Sequence, residues 1–152
     1  MEFINELVEK LKERDIPMKK ATENQIKDLL SITKNGILPK AYIEFMSIMG
    51  NGTEGKYMRG ESCFMDEIHI LKQGAIELLE ENESELVLTD NDFVFWMSQG
   101  CIFCMFKLNE GDNPPVYFYN ESGDDRFLKI SNTLTEFLIN YLELKSDLFQ
   151  EK

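Results

Sequence analysis

The hydrophobic pattern of this chain changes its period near residue 90, and that change sets the fold class. Before it, apolar residues recur at steps of three and four, as on the buried face of a helix. After it, the stretch DFVFWMSQGCIFCMFKL has apolar and aromatic residues at odd and even positions alike, which is typical of strands buried on both faces. Helical segments on both sides of clustered strands predict an α+β fold with a mostly antiparallel sheet.

Three of the five predicted helices are indicated by a continuous apolar face or by a cap. Residues 2–14 have apolar residues on one face and predict an amphipathic helix. Thr22-x-x-Gln25 and Thr133-x-x-Glu136 are capping boxes, which predict helices that begin at those threonines. We expect Asn35-Gly36 to close the first of these two helices.

The stretch LPKAYIEFMSIMGNG predicts another helix with both ends marked. Pro39 suits its first turn, where the missing N–H has no intrahelical partner. Gly50 is expected to take the left-handed conformation that closes a helix. A further helix is predicted over 74–85, with its leucines inward and its glutamates outward.

The predicted strands are short and are separated by turn residues. Ser98-Gln99-Gly100 predicts a tight turn between two central strands, and VYFYN and RFLKI predict two more. Shorter strands are expected around 62–65 and 67–70. Phe95 and Trp96 are neighbours in a central strand and should face opposite sides of the sheet.

Length, charge and cysteine content restrict the functional classes. A chain of 152 residues predicts a single domain over 1–152, and its formal net charge of −12 disfavours direct binding to nucleic acid or to anionic lipid. No apolar run approaches the ~18 residues that span a bilayer, and the N-terminus lacks the features of a signal peptide. Together with three cysteines, an odd number, this predicts a cytoplasmic protein with reduced thiols.

The sequence contains no recognisable catalytic or metal-binding motif. Cys101-x-x-Cys104 has no second pair of ligands, and it lies in a strand pattern instead of at a helix start, so we expect structural thiols. His69 is the single histidine, and no nucleophile elbow surrounds any serine. We therefore predict no enzymatic activity, no metal and no cofactor, and favour a binding module.

Several landmarks follow one another in a fixed order along the chain. The first is the stretch that runs from Leu38-Pro39 through Tyr42 and Phe45 to Gly50-Asn51-Gly52. An aromatic strand with Trp96, then GDNPPVYFY, then LTEFLINYL follow it. This order resembles that of the SUKH superfamily, which includes Smi/Knr-type regulators and many bacterial immunity proteins. The resemblance implies an α+β fold in which a twisted, largely antiparallel sheet packs against helices, and a protein without enzymatic activity.

The resemblance also implies a partner, which is the cognate toxin of a bacterial polymorphic toxin system, often a nuclease. The alternative is a regulatory scaffold of the Smi/Knr type. A nuclease has a basic cleft, so an acidic inhibitor fits it. No Lys or Arg lies between Gln73 and Phe106. The predicted partner-binding residues are therefore five of the seven carboxylates of that region, namely Glu80, Glu81, Glu83, Asp90 and Asp92. The oligomeric state is left open.

Overall fold

A computed structural model describes residues 1–152 and contains five α-helices and five strands. The helices are α1 (Asn5–Glu13), α2 (Glu23–Ser31), α3 (Lys40–Met49), α4 (Leu71–Glu81) and α5 (Leu134–Leu142). The strands are β1 (Glu61–Ser62), β2 (Asp92–Ser98), β3 (Ile102–Lys107), β4 (Val116–Asn120) and β5 (Leu128–Ser131). The α+β prediction is confirmed. None of the helices combines the length and apolar character needed to cross a bilayer.

The five strands form one sheet in sequence order, and every neighbouring pair is antiparallel. Helix α4 packs on one face, where Asn82 at its end donates a hydrogen bond to the Tyr119 hydroxyl of β4. Helices α3 and α5 pack on the other face, where Tyr42 and Phe137 contact the rings of β2. The central strands are therefore buried on both sides, as their unbroken apolar sequence predicts.

A β-bulge in β2 overturns the prediction that Phe95 and Trp96 face opposite sides. The pairing with β3 shifts register between Val94 and Trp96, so Phe95 is the extra residue of the bulge. Both aromatic rings then contact Phe137 of α5, with ring centroids 5.7 Å and 6.2 Å away. The bulge places two large side chains on the same face of the sheet and fills the space beneath α5.

The segment that leads into α4 also differs from the prediction. Only Glu61–Ser62 is a strand, and the strand expected at 67–70 is a 3₁₀ turn over Ile68–Ile70. Local hydrogen bonds form this turn, since the Ile70 N–H donates to the Glu67 carbonyl, three residues earlier, over 3.1 Å. The turn runs directly into α4, which begins at Leu71 and not at Gly74.

The predicted capping box forms both of its hydrogen bonds at α2 but only one of them at α5. At α2, the Gln25 N–H donates to Thr22 Oγ1 over 3.1 Å, and the Thr22 N–H donates back to Gln25 Oε1 over 2.9 Å. At α5, Thr133 accepts from the Glu136 N–H over 3.1 Å, without the return bond. Helix α2 ends at Ser31, earlier than the expected stop at 35–36.

Gly50 is not left-handed, contrary to the prediction. Its φ of −59° lies in the helical region, and the positive φ of +105° falls on Gly52. Glycine at position 50 is needed for space, because a Cβ there would lie 2.3 Å from the Met46 carbonyl oxygen. Glycine is therefore required here because the Met46 carbonyl leaves no room for a Cβ, and not because the backbone is left-handed.

Three other helices end in a left-handed residue that is not glycine. Asp15, Glu83 and Leu144 follow α1, α4 and α5 with φ values of 54°, 53° and 55°. In each case the two backbone hydrogen bonds of a Schellman motif close the helix. After α4, for example, the Ser84 N–H donates to the Leu79 carbonyl over 2.9 Å, and the Glu83 N–H donates to the Glu80 carbonyl over 3.0 Å.

We expect Leu144→Gly to raise the free energy of unfolding by about 0.5–1 kcal/mol, because glycine adopts the left-handed conformation without steric strain. The Leu144 side chain is 84% exposed, so its removal sacrifices little packing. Urea denaturation monitored by circular dichroism measures the change. Lys12→Gly, inside α1, is the control and should lower stability by about 1 kcal/mol. A loss of stability in Leu144→Gly would contradict the prediction.

Candidate functional site

The C-terminal end of α4 presents exposed carboxylates because its apolar residues face the sheet. Leu78 and Leu79 are each 4% exposed, whereas Glu80 and Glu81 point into solvent. Glu83 follows the helix in the left-handed position of the Schellman motif, and its side chain is exposed. These three predicted residues therefore lie together on one surface, although Glu83 is outside the helix.

The turn between β4 and β5 brings further carboxylates to this end of α4. Asn82 donates a hydrogen bond to the Glu121 carbonyl over 3.3 Å. The Asp125 carboxylate accepts hydrogen bonds from the Ser84 hydroxyl and, over 3.0 Å, from the Glu85 N–H. We use the name "acidic surface" for the exposed carboxylates that these contacts bring together, which are Glu80, Glu81, Glu83, Glu85, Glu121, Asp124 and Asp125.

Most of the acidic surface has no cationic neighbour. The one ion pair that reaches it joins Asp124 to Arg126 over 4.0 Å, and Arg126 also pairs with Glu151 over 3.1 Å. Cations elsewhere form closer pairs, such as Lys10 with Glu143 over 2.8 Å. The sequence gap without Lys or Arg thus becomes a surface with a concentrated negative charge.

Asp90 and Asp92, the other two predicted binding residues, make contacts different from those of the acidic surface. Asp90 is exposed but lies 3.5 Å from Lys34 Nζ. Asp92 is only 7% exposed, and it accepts hydrogen bonds from the N–H of Thr89 over 2.8 Å and from its hydroxyl over 3.1 Å. Asp92 is the first residue of β2 and fixes the turn before it, so its carboxylate is not available to a partner protein.

We expect Asp92→Ala to lower the free energy of unfolding by about 1–3 kcal/mol, because it removes the acceptor of both Thr89 hydrogen bonds. Chemical denaturation measures the loss. The matched control is Glu81→Ala, an exposed carboxylate without an ion pair, which should change stability by less than about 0.5 kcal/mol. Equal midpoints for the two variants would contradict the structural role of Asp92.

Sequence patterns alone could not reveal Glu121, Asp124 and Asp125 as neighbours of α4. The stretch ESGDD is readable as an acidic turn between two strands. The pairing of β4 with β5 and the hydrogen bonds of Asn82 and Ser84 place it beside α4. The two hydrogen bonds join residues 39 and 41 positions apart.

A model of the SMI1 / KNR4 family (SUKH-1) matches residues 20–140 of the chain. The chain belongs to the SUKH-1 family. The SUKH-1 match begins just before the Thr22 cap of α2 and ends within α5, so it contains the whole sheet and the acidic surface. Searches among curated proteins and among solved structures found no match to this SUKH-1 chain.

The titratable groups buried in this SUKH-1 protein favour a structural role for its thiols. Burial raises the pKa of Cys63 and of Cys104 well above the ordinary value, which keeps both thiols protonated. Cys101 is half-buried in the turn after β2, apart from Cys104 in β3, and its Sγ lies 3.6 Å from the Ser98 carbonyl. The sequence predicts a strand over 67–70, but His69 lies in the 3₁₀ turn and is exposed.

A polar cleft of about 370 Å³ lies beside the loop before β1. Its lining mixes the cations Lys19 and Arg59 with the carboxylates Glu54, Glu61 and Asp66. Desolvation raises the pKa of Glu61, which accepts a hydrogen bond from the Ser98 hydroxyl over 3.0 Å. This bond ties β1 to β2, so Glu61 serves the sheet, and the mixed charges of the cleft favour no single class of ligand.

Proposed function

We propose that this SUKH-1 protein is an immunity protein that binds and neutralises a cognate toxin of a bacterial polymorphic toxin system. The observation that carries the proposal is the acidic surface, whose carboxylates are exposed and almost without cationic neighbours. A toxin that cleaves nucleic acid needs a basic cleft for its polyphosphate substrate. An acidic inhibitor complements that cleft in charge and is steered towards it.

Membership of the SUKH-1 family is consistent with this role, which requires binding and no chemistry. The protonated state of the two buried thiols agrees with a protein that contributes no nucleophile. The three free cysteines fit a reducing compartment such as the cytoplasm, where an immunity protein meets its toxin. A regulatory scaffold of the Smi/Knr type would share the protein-binding surface but would not protect a cell.

The experiment first searches the genes that flank this one for a toxin domain, and then co-expresses that neighbouring toxin domain with this protein in a survival assay. We expect full growth when both are induced and growth arrest when the toxin domain is induced alone. A toxin domain from an unrelated system is the control, and the protein should give no protection against it. Continued growth arrest with the neighbouring toxin domain, despite folded protein in the cells, would overturn the immunity proposal.

A further inference from the structure

Beside the acidic surface, residues 84–89 run along α4 without regular secondary structure. Exposure alternates along this segment, since Glu85, Val87 and Thr89 are exposed whereas Leu86 and Leu88 are half-buried. An alternation with a period of two is typical of an extended chain whose successive side chains point to opposite sides. The segment therefore resembles a strand that lies outside the sheet.

The middle of this segment has backbone groups that make no hydrogen bond within the protein. The N–H groups of Val87 and Leu88 donate to no protein atom, and the carbonyl groups of residues 85–88 accept from none. The edge strand β5 is less free, because its outer side already binds the C-terminal residue of the chain. There the Lys152 N–H donates to the Lys129 carbonyl over 2.9 Å. A free extended segment is the kind of surface to which another chain adds as a strand.

An apolar groove of about 280 Å³ lies between this segment and α4. Its apolar lining consists of Ile76, Leu79, Leu86, Val87 and Leu88. Val87 stands at the groove with 75% of its surface exposed. The groove thus offers a place for an apolar side chain next to a backbone that has hydrogen-bonding capacity to spare.

The charges around the groove specify the composition of its occupant. Glu80 lines the groove itself, and Glu83 and Glu85 flank the segment, whereas no Lys or Arg contributes to the lining. An added strand that alternates apolar and basic residues would place one set in the groove and the other set against these carboxylates. A segment with acidic residues would meet like charges at the same positions.

We propose that residues 85–88 bind an extended basic segment of the partner protein by strand addition, with an apolar side chain of that segment seated in the groove. Val87 is the central contact because both its N–H and its carbonyl are free and the residue lines the groove. The identity of this partner as a toxin rests on the proposed function, whereas the site itself rests on backbone, groove and charge.

The first test uses a synthetic peptide as the probe, so that it does not depend on the toxin. The probe is a capped ten-residue peptide of alternating Lys and Val, titrated into ¹⁵N-labelled protein. We expect the amide signals of Val87 and Leu88 to shift and to gain protection from hydrogen exchange. A peptide of alternating Glu and Val should not bind. Binding elsewhere, or no binding of the basic peptide, would overturn the proposed site.

Two variants separate the backbone contribution from the groove. Val87→Pro removes one of the free N–H groups, and Val87→Arg places a cation at the groove. Each should weaken binding of the Lys/Val peptide about tenfold or more, the size expected when a central contact of an interface is lost. Leu144→Arg is the matched control, because Leu144 is equally exposed at 84% but follows α5 on the other face of the sheet. Unchanged affinity in both Val87 variants would contradict the proposal.

The same variants in the survival assay separate this site from the proposed function. If the wild-type protein protects cells and Val87→Pro protects equally well, the immunity role stands and the strand-addition site is wrong. If the peptide binds at residues 85–88 but the wild-type protein gives no protection, the site stands and the immunity role is wrong. Circular dichroism of each variant confirms that it is folded in either case.

Discussion

Trp96→Ala is expected to lower the free energy of unfolding by about 3–5 kcal/mol, which is the usual range for truncation of a buried indole. Trp96 is 1% exposed and lies in the bulged strand β2. Its ring centroid is 6.2 Å from those of Phe137 and Tyr141 and 5.6 Å from that of Phe149. The substitution therefore opens a cavity between the sheet, α5 and the C-terminal segment, which surrounding backbone cannot easily fill.

Trp96→Phe provides the matched control. The indole Nε1 is buried and has no hydrogen-bond partner in the protein, so its removal loses no native hydrogen bond. Phenylalanine also keeps most of the aromatic contact, and we expect this variant to lose less than half as much stability as Trp96→Ala. Urea denaturation followed by far-ultraviolet circular dichroism measures both. A Trp96→Ala midpoint equal to that of the unaltered protein would show that the indole is not part of the core.

The features that the sequence predicts well are those encoded within a few residues. The Thr22–Gln25 capping box forms both of its hydrogen bonds because the two partners are only three positions apart. The turn at Gln99-Gly100 forms with φ values of 52° and 69°, as a tight hairpin turn requires. The period change likewise predicts the fold class, since burial on two faces leaves an unbroken apolar sequence.

The features that the sequence does not predict depend on contacts between distant segments. The bulge at Phe95 is set by the register between β2 and β3, and no local turn residue marks it. The left-handed residues Glu83 and Leu144 close their helices by backbone hydrogen bonds, which any residue type supplies. A sequence reading that expects glycine at such positions therefore misplaces the end of α4.

The candidate site was also predictable only in part, because some of its features are local in the sequence and others depend on the fold. The absence of Lys and Arg between Gln73 and Phe106 is visible in the sequence, and on the folded surface Glu80, Glu81 and Glu83 form no ion pair. Burial of Asp92 and pairing of Asp90 with Lys34 both require the fold. A run of carboxylates thus indicates where negative charge collects, but it does not distinguish an exposed carboxylate from one that fixes a turn.

Glu80→Lys/Glu81→Lys is expected to slow association with the neighbouring toxin domain about tenfold or more at low salt, because the variant reverses the charge at the centre of the acidic surface. The dependence of the association rate on salt should weaken as well, since steering is screened over the Debye length of about 10 Å at 0.1 M. Folding should change little, because both side chains are exposed and lysine suits the C-terminal end of a helix. Stopped-flow mixing at two salt concentrations measures the rates.

Glu9→Lys/Glu13→Lys is the matched control for position. These residues are exposed at the middle and at the C-terminal end of α1, which packs against α5 on the other face of the sheet. Both double variants change the net charge of −12 by the same amount, so any general effect of total charge acts on them equally. Slower association in the α4 variant alone would therefore place the interface at the acidic surface. If both variants associate more slowly than the unaltered protein and by the same factor, the toxin recognises total charge and α4 is only a solvated face.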